Sequence, residues 1–147
     1  MFHWLALNNK SIIKLVSIVT PVYNGEDFIE ETINSVLIQD YENIEFIIVN
    51  DGSTDNSLDK VQEIKDSRIN IYTTPNHGVS KARNTGILKS NSQYICFLDA
   101  DDFWYENHLS QMKRLLDSFP ECGLFATSYY RRINNILLKK KLKNNKV

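Results

Sequence analysis

Along the chain, short runs of apolar, β-branched residues alternate with stretches whose apolar positions recur every three or four residues. LVSIVTPV, from Leu15 to Val22, has the composition of a buried strand, and Pro21 marks its end. After the turn YNGED, Ile29, Ile33, Val36 and Leu37 fall at i, i+4, i+7 and i+8, the stripe of an amphipathic helix. IEFIIVND, Ile44 to Asp51, predicts a second buried strand, and GSTD supplies turn and N-cap residues for a helix with Leu58, Val61 and Ile64 inward. INIYTTP reads as a third strand, VSKARNTGILKS as a third helix and YICFL as a fourth strand. From about Asn107 to Phe119, the residues Leu109, Met112, Leu115, Leu116 and Phe119 mark a fourth helix stopped by Pro120, and GLFATSYY predicts a fifth strand.

This alternation predicts an α/β fold, a mainly parallel Rossmann-like sheet with helices on both faces and right-handed crossovers between strands. Residues 1–14 read as an N-terminal extension, 15–130 as the domain and 131–147 as a basic tail. At 147 residues with 42% hydrophobic composition, the chain suits one soluble domain.

Charge changes the picture at one end only. The formal charge of −1 conceals a tail with Arg131, Arg132, Lys139, Lys140, Lys141, Lys143 and Lys146 and no acid. Without those 7 residues the body carries 10 basic against 18 acidic groups, near −8, a balance that repels nucleic acid. The tail reads either as an interfacial helix, with Ile133, Ile136 and Leu137 at i, i+3 and i+4 against anionic lipid, or as a solvated charge run, the commoner case. Cys96 and Cys122 lack metal-ligand spacing and predict no disulfide framework. MFHWLALNNKSIIKL lacks the charged start and uninterrupted apolar core of a secretory signal, so the expected location is the cytoplasm, with a peripheral membrane contact through the tail as an extension of that reading.

The candidate chemistry sits at the carboxyl ends of three strands. In an open parallel sheet, ligands bind beyond those ends where the strand order reverses. PVYN, NDGSTD and LDADD therefore bring Tyr23, Asp51, Asp99 and Asp101 to one edge. An aromatic ring, an acceptor carboxylate and a carboxylate pair suit a planar base with an N–H, a ribose and a diphosphate bridged by a divalent cation. The plainer readings are an N-cap role for Asp99 and Asp101, an Asx-turn for Asp51 and a solvated Arg83. DGSTDNSLDKVQ lacks the Gly at position 6 and the Glu at position 12 of a calcium loop, and no glycine-rich dinucleotide or P-loop signature occurs. His77 and His108 read as surface or capping residues.

The stretch from VSIVTPVYNGED through VNDGSTDNS, followed by NHGVSKARNTGI and YICFLDADDFW, resembles the nucleotide-binding half of a family 2 glycosyltransferase of the GT-A fold, over roughly Val16 to Phe125. The resemblance implies a nucleotide-diphosphate sugar donor, usually a uridine diphosphate sugar, and synthesis of a surface polysaccharide or glycolipid. Position by position, it implies that Pro21 and Tyr23 line the base, that Asp51 accepts the base N–H and that Arg83 reaches the base or the phosphates. It further implies that Asp99 holds the ribose or a metal-bound water and that Asp101 ligates Mg2+ or Mn2+, with Asp102 behind them. The family inverts configuration with an Asp or Glu base in a later acceptor half. Between Phe119 and Val147 the only acid is Glu121, so no residue here is assigned as the base. The chain is accordingly expected to be an inverting glycosyltransferase, or its N-terminal portion, with an incomplete C-terminal half. The alternative is an inactive fragment that binds nucleotide diphosphate or a partner chain.

Overall fold

A computed structural model describes residues 3–6, 16–133 and 136–140. In chain order its elements are β1 (His3–Ala6), β2 (Val16–Val22), α1 (Ile29–Leu37), β3 (Ile44–Asn50), α2 (Ser57–Glu63), β4 (Ile69–Thr73), α3 (Val79–Lys89), β5 (Tyr94–Phe97), α4 (His108–Ser118), β6 (Leu124–Ala126), β7 (Tyr129–Ile133) and β8 (Ile136–Lys140). The main sheet runs β4-β3-β2-β5-β1-β6. β4, β3, β2 and β5 are parallel, and β1 pairs antiparallel with both β5 and β6. The α/β architecture with a mainly parallel sheet is thus the one the hydrophobic pattern predicts.

Both faces of β2 and β3 are buried, which explains their unbroken apolar runs. Alternate residues serve opposite cores. Val16, Ile18, Val22, Ile44, Phe46 and Ile48 pack with Ile29, Ile33 and Val36 of α1, Val61 of α2 and Leu109 and Met112 of α4. On the other face Val19, Ile47, Val49 and Ile95 meet Ala82 of α3. The close approach of α3 has a clear cause in Gly86, where a Cβ would lie 2.2 Å from Val19 Cγ1. Each fully buried aliphatic side chain of these cores contributes roughly 1.5–3 kcal/mol.

Three expectations are corrected. The expected extension over 1–14 contains β1, whose register sets Trp4 opposite Cys96 and Phe125 and makes it an inner strand of the sheet. The tail is neither an interfacial helix nor an unstructured run over its described part. β7 and β8 form an antiparallel pair with Ile133 opposite Ile136 and Tyr129 opposite Lys140, while residues 134–135 and 141–147 lie outside the described residues. A period of two therefore governs where helical spacing was read. Finally, Pro21 does not end its strand: β2 continues to Val22, with Pro21 in parallel register with Val49.

Helix α1 also has a polar stripe inside. Thr32, Ser35 and Gln39 are buried with 1%, 6% and 4% exposure. The Ser35 hydroxyl donates to the Thr32 carbonyl at 2.7 Å and accepts from the Trp104 N–H at 3.2 Å. The Gln39 amide donates to the carbonyls of Ser35 and Tyr105 and accepts from the Leu109 N–H, so it joins α1 to the start of α4. Such fully partnered buried amides avoid the desolvation cost of an orphaned group.

Candidate functional site

The order β3-β2-β5 makes the three loaded strand ends neighbours, and the chain reverses direction across the sheet there, since β3 follows β2 on one side and β5 lies on the other. Backbone bonds join the ends further: Asp51 donates to the Val22 carbonyl at 2.8 Å, Thr74 to the Asn50 carbonyl at 2.9 Å, and Leu98 to the Val19 carbonyl at 3.1 Å. Tyr23, Asp51 and Asp99 emerge from these ends, as the sequence predicts.

The loops after β2 and β3 are laced together. Asn24 adopts a left-handed φ of 51°, a conformation Asn tolerates, and its side-chain oxygen accepts from the Thr54 N–H at 2.8 Å. Its own N–H donates to the Ser53 hydroxyl, and the Gly25 N–H donates to the Ser57 hydroxyl at 2.8 Å. Asp55 accepts from the Glu26 N–H and from both the N–H and hydroxyl of Ser57. Burial raises its pKa, but these hydrogen bonds outweigh that effect and hold the carboxyl below its ordinary value. Pro21 lies buried at the floor of this corner, whereas Tyr23 stands 51% exposed.

Asp51 is only 2% exposed and already structural. Its Oδ1 accepts from the Thr74 hydroxyl and the His77 N–H, both at 3.1 Å, and its Oδ2 accepts from the Gly78 N–H at 2.8 Å. The carboxylate thereby fixes the turn from β4 into α3, and Oδ2 retains an acceptor position. Gly52, in the loop after β3 with a φ of 71°, lets that loop pass close against this turn, since a Cβ would sit 2.9 Å from the Asn76 nitrogen.

Across the edge, Arg83 of α3 meets Asp99, with Nη2 to Oδ1 at 2.5 Å. Two predicted site residues are therefore direct partners. Asp101 is exposed, and Asp102 is half-buried behind it. Burial first, and then the charges of Asp101 and Asp99, push the Asp102 carboxyl above its ordinary range. Crowded carboxylates of this kind offer the hard oxygen donors that Mg2+ and Mn2+ take, so the donor set fits such a cation. Among the described residues, no group of three or more His, Cys, Asp or Glu side chains is arranged to hold a metal ion. Part of the coordination sphere would have to come from a ligand.

Behind the acids, the Phe103 and Tyr105 rings meet edge to face, and Tyr130 of β7 meets Tyr105 in the same way, each pair with centroids 6.0 Å apart. His108 was expected at the surface or as a cap. It stacks instead on the buried Trp104 at 4.4 Å, and burial lowers its pKa to about 4.

The sequence profile of the family described as "Glycosyl transferase family 2" matches residues 17–145, which include all of these site residues. The chain belongs to glycosyl transferase family 2. Among family members, an uncharacterized glycosyltransferase of Haemophilus influenzae is 48% identical over 92 residues, covering 60% of this chain and 37% of that protein. The Escherichia coli UDP-Glc:alpha-D-GlcNAc-diphosphoundecaprenol beta-1,3-glucosyltransferase WfgD is 45% identical over 123 residues, covering 82% of this chain and 47% of the relative. The crystal structure of S. aureus TarS 1-349 superposes with a TM-score of 0.68 at 27% identity, over 72% of this chain and 33% of that one. The GT-A-type fold is therefore shared with solved glycosyltransferases. The chain spans less than half the length of each of these relatives.

Two kinds of functional residue escaped sequence reasoning. Asn24, Asp55 and Ser57 lace the loops, and NGED and GSTDNS announce turns without announcing that they touch. Thr32 and Ser35 lie on the buried side of α1 with Gln39 just past its end, and polar residues on a face that is otherwise apolar were the available signal.

Proposed function

We propose that this chain is the donor-binding portion of an inverting glycosyltransferase that uses a nucleotide-diphosphate sugar, a UDP-sugar in the first instance, to build a surface polysaccharide or glycolipid. The observation that carries this reading is the convergence of Asp51, the Arg83–Asp99 pair and Asp101 beyond adjacent strand ends in a family 2 chain. TarS has been solved with UDP and with UDP-GlcNAc, and WfgD is named for a glycolipid acceptor, which supports both classes of ligand.

In this reading Tyr23 covers the base over the Pro21 floor, and Asp51 accepts the base N–H at Oδ2 while its other bonds keep the carboxylate from turning. Asp99 accepts from the ribose or a metal-bound water. Arg83 is positioned by Asp99 to meet the diphosphate or the base, supplying positive charge where the body of the protein is acidic. Asp101 provides the protein ligand to Mg2+ or Mn2+, with Asp102 behind it. When bound, the cation would neutralise the diphosphate and stabilise its charge as the sugar–phosphate bond breaks. A GT-A neighbour solved with GDP-Man and Mn2+ has a TM-score of 0.66, which supports the fold's capacity to host such a site.

The location we propose is the cytoplasm, at the inner face of the membrane where lipid-linked acceptors are available, with the basic hairpin β7–β8 as the contact. No helix among the described residues is long and apolar enough to cross a membrane. Calorimetric titration with UDP, with and without Mn2+, tests the central claim. We expect metal-dependent binding that Asp101→Asn abolishes while the thermal unfolding profile is kept. Equal Mn2+-dependent affinity in the variant would remove Asp101 from the site.

A further inference from the structure

The Asp99–Asp102 turn is short, exposed at Asp101 and crowded with like charges, so something must hold its backbone in one shape. Within the turn the Asp102 N–H donates to the Asp99 carbonyl at 3.0 Å. The other constraint comes from a different element. The Thr32 hydroxyl of α1 lies 2.8 Å from the carbonyl oxygens of both Ala100 and Asp102. A hydroxyl carries a single proton, so the two carbonyls share it in a three-centre bond. A helical Thr ordinarily turns its hydroxyl back to the preceding helical turn. Here the hydroxyl leaves its own helix, and Thr32 is 1% exposed, so water is not an alternative partner.

The bond matters because the Ala100 and Asp102 carbonyls flank Asp101. The Ala100 carbonyl fixes the peptide plane before Asp101, the Asp102 N–H bonded to the Asp99 carbonyl fixes the plane after it, and the Asp102 carbonyl pins the next plane, so the direction of the Asp101 Cα–Cβ bond is set. The rest of the stripe continues the same task. Ser35 holds the Trp104 N–H, Gln39 holds the Tyr105 carbonyl, and the Asp40 N–H donates to the Glu106 carbonyl at 3.0 Å. From residue 100 to residue 106 the backbone is therefore bolted at intervals to α1 and the residues just after it, and Thr32 is the bolt nearest the acids.

We propose that Thr32 is a positioning residue for the divalent-cation site, holding the Asp99–Asp102 turn so that Asp101 presents its carboxylate to the metal. This inference rests on the cation role proposed above for Asp101. A rigid turn binds a metal more tightly because the ordering of the ligand is already complete before the ion arrives.

Thr32→Val removes the hydroxyl and keeps the shape, Thr32→Ser keeps the hydroxyl, and Val61→Ala perturbs the same core from α2 without touching the turn. Mn2+ affinity is read by electron paramagnetic resonance with UDP present, and overall stability by urea unfolding. We expect Thr32→Val to weaken Mn2+ about 5- to 20-fold, the order expected for losing one well-placed bond. Thr32→Ser should stay within about threefold of the native chain, and Val61→Ala should lose stability without losing Mn2+ affinity. Hydrogen exchange should rise over residues 99–106 in Thr32→Val and not in Val61→Ala. Native Mn2+ affinity in Thr32→Val, or equal losses in Thr32→Val and Val61→Ala, would overturn the positioning role while leaving the site intact. A native chain that takes up no Mn2+ with UDP would overturn the site itself and the positioning role with it.

Discussion

The guanidinium of Arg83 meets the carboxylate of Asp99 at 2.5 Å, so a helix packed on one face of the sheet reaches over the strand ends to the first acid of LDADD. The two side chains are 35% and 47% exposed, and solvent screens such a pair to within about 1 kcal/mol of stability. The pair's value lies in placement. In the donor-binding reading proposed above, it aims a positive charge at the diphosphate.

Arg83→Gln should therefore separate binding from stability. UDP affinity should fall about tenfold, in keeping with the loss of a charge-assisted bond, while the urea midpoint barely moves. Calorimetry and urea titration on the same preparation check both halves. A large stability loss with unchanged affinity would make the pair a structural clamp.

Asp51→Ala should add a stability cost to any loss of nucleotide binding. It leaves the Thr74 hydroxyl and the N–H groups of His77 and Gly78 without their acceptor, a loss of about 2–3 kcal/mol for a site this buried. Urea unfolding measures that cost, and amide exchange over residues 74–78 should rise with it. Stability within about 0.5 kcal/mol of native would mean that the turn stands without the carboxylate.

Gly86→Ala drives a methyl group into Val19 and should cost about 1–3 kcal/mol through overpacking. Placing Val19→Ala in the same chain makes room for that methyl. The double variant should then be more stable than the sum of the single losses, a coupling that a thermodynamic cycle reads directly. Simple additivity would show that α3 moves away instead.

Stability should also decline in mild acid through His108. Unfolded, an imidazole takes up a proton below about pH 6.5, but burial beside Trp104 delays protonation in the folded chain to about 4. The folded state therefore keeps its full advantage above pH 6.5 and loses it as the pH falls from 6.5 to 4, by up to about 3 kcal/mol from this group. His108→Phe retains a ring against Trp104 and should flatten urea midpoints across that window. An unchanged slope would assign the acid sensitivity to other groups.

The residues that were legible in advance are those whose pattern is local. Ile44–Asn50 is buried on both faces and reads as a strand in any context, and the helical spacing of Ile29, Ile33 and Val36 needs no knowledge of the partner. That Asp51 and Asp99 follow neighbouring strand ends was legible from strand polarity. What stayed hidden depends on contacts between distant segments. His3–Ala6 is too short to declare its type and is a strand because Tyr94–Cys96 and Leu124–Ala126 accept it. Ile133, Ile136 and Leu137 satisfy helical spacing and hairpin pairing alike, and cross-strand registry decides between them. Thr32 and Gln39 gave no signal in the sequence because the contacts that tie them to the acidic loop lie beyond residue 99.

The inner place of β1 has a consequence for how the chain acquires its shape. β1 leaves the ribosome before β2, β3 and β4, yet its two neighbours, β5 and β6, follow all three. Until they emerge, its backbone groups find no lasting mate, and β2, β3 and β4 can assemble without it. Joining β1 to the sheet is thus a long-range event that couples His3–Ala6 to residues about ninety or more positions on, and such pairings fold slowly. A substitution that weakens the pairing of His3–Ala6 would act on that step, altering the yield of folded protein before it alters anything at the acidic edge.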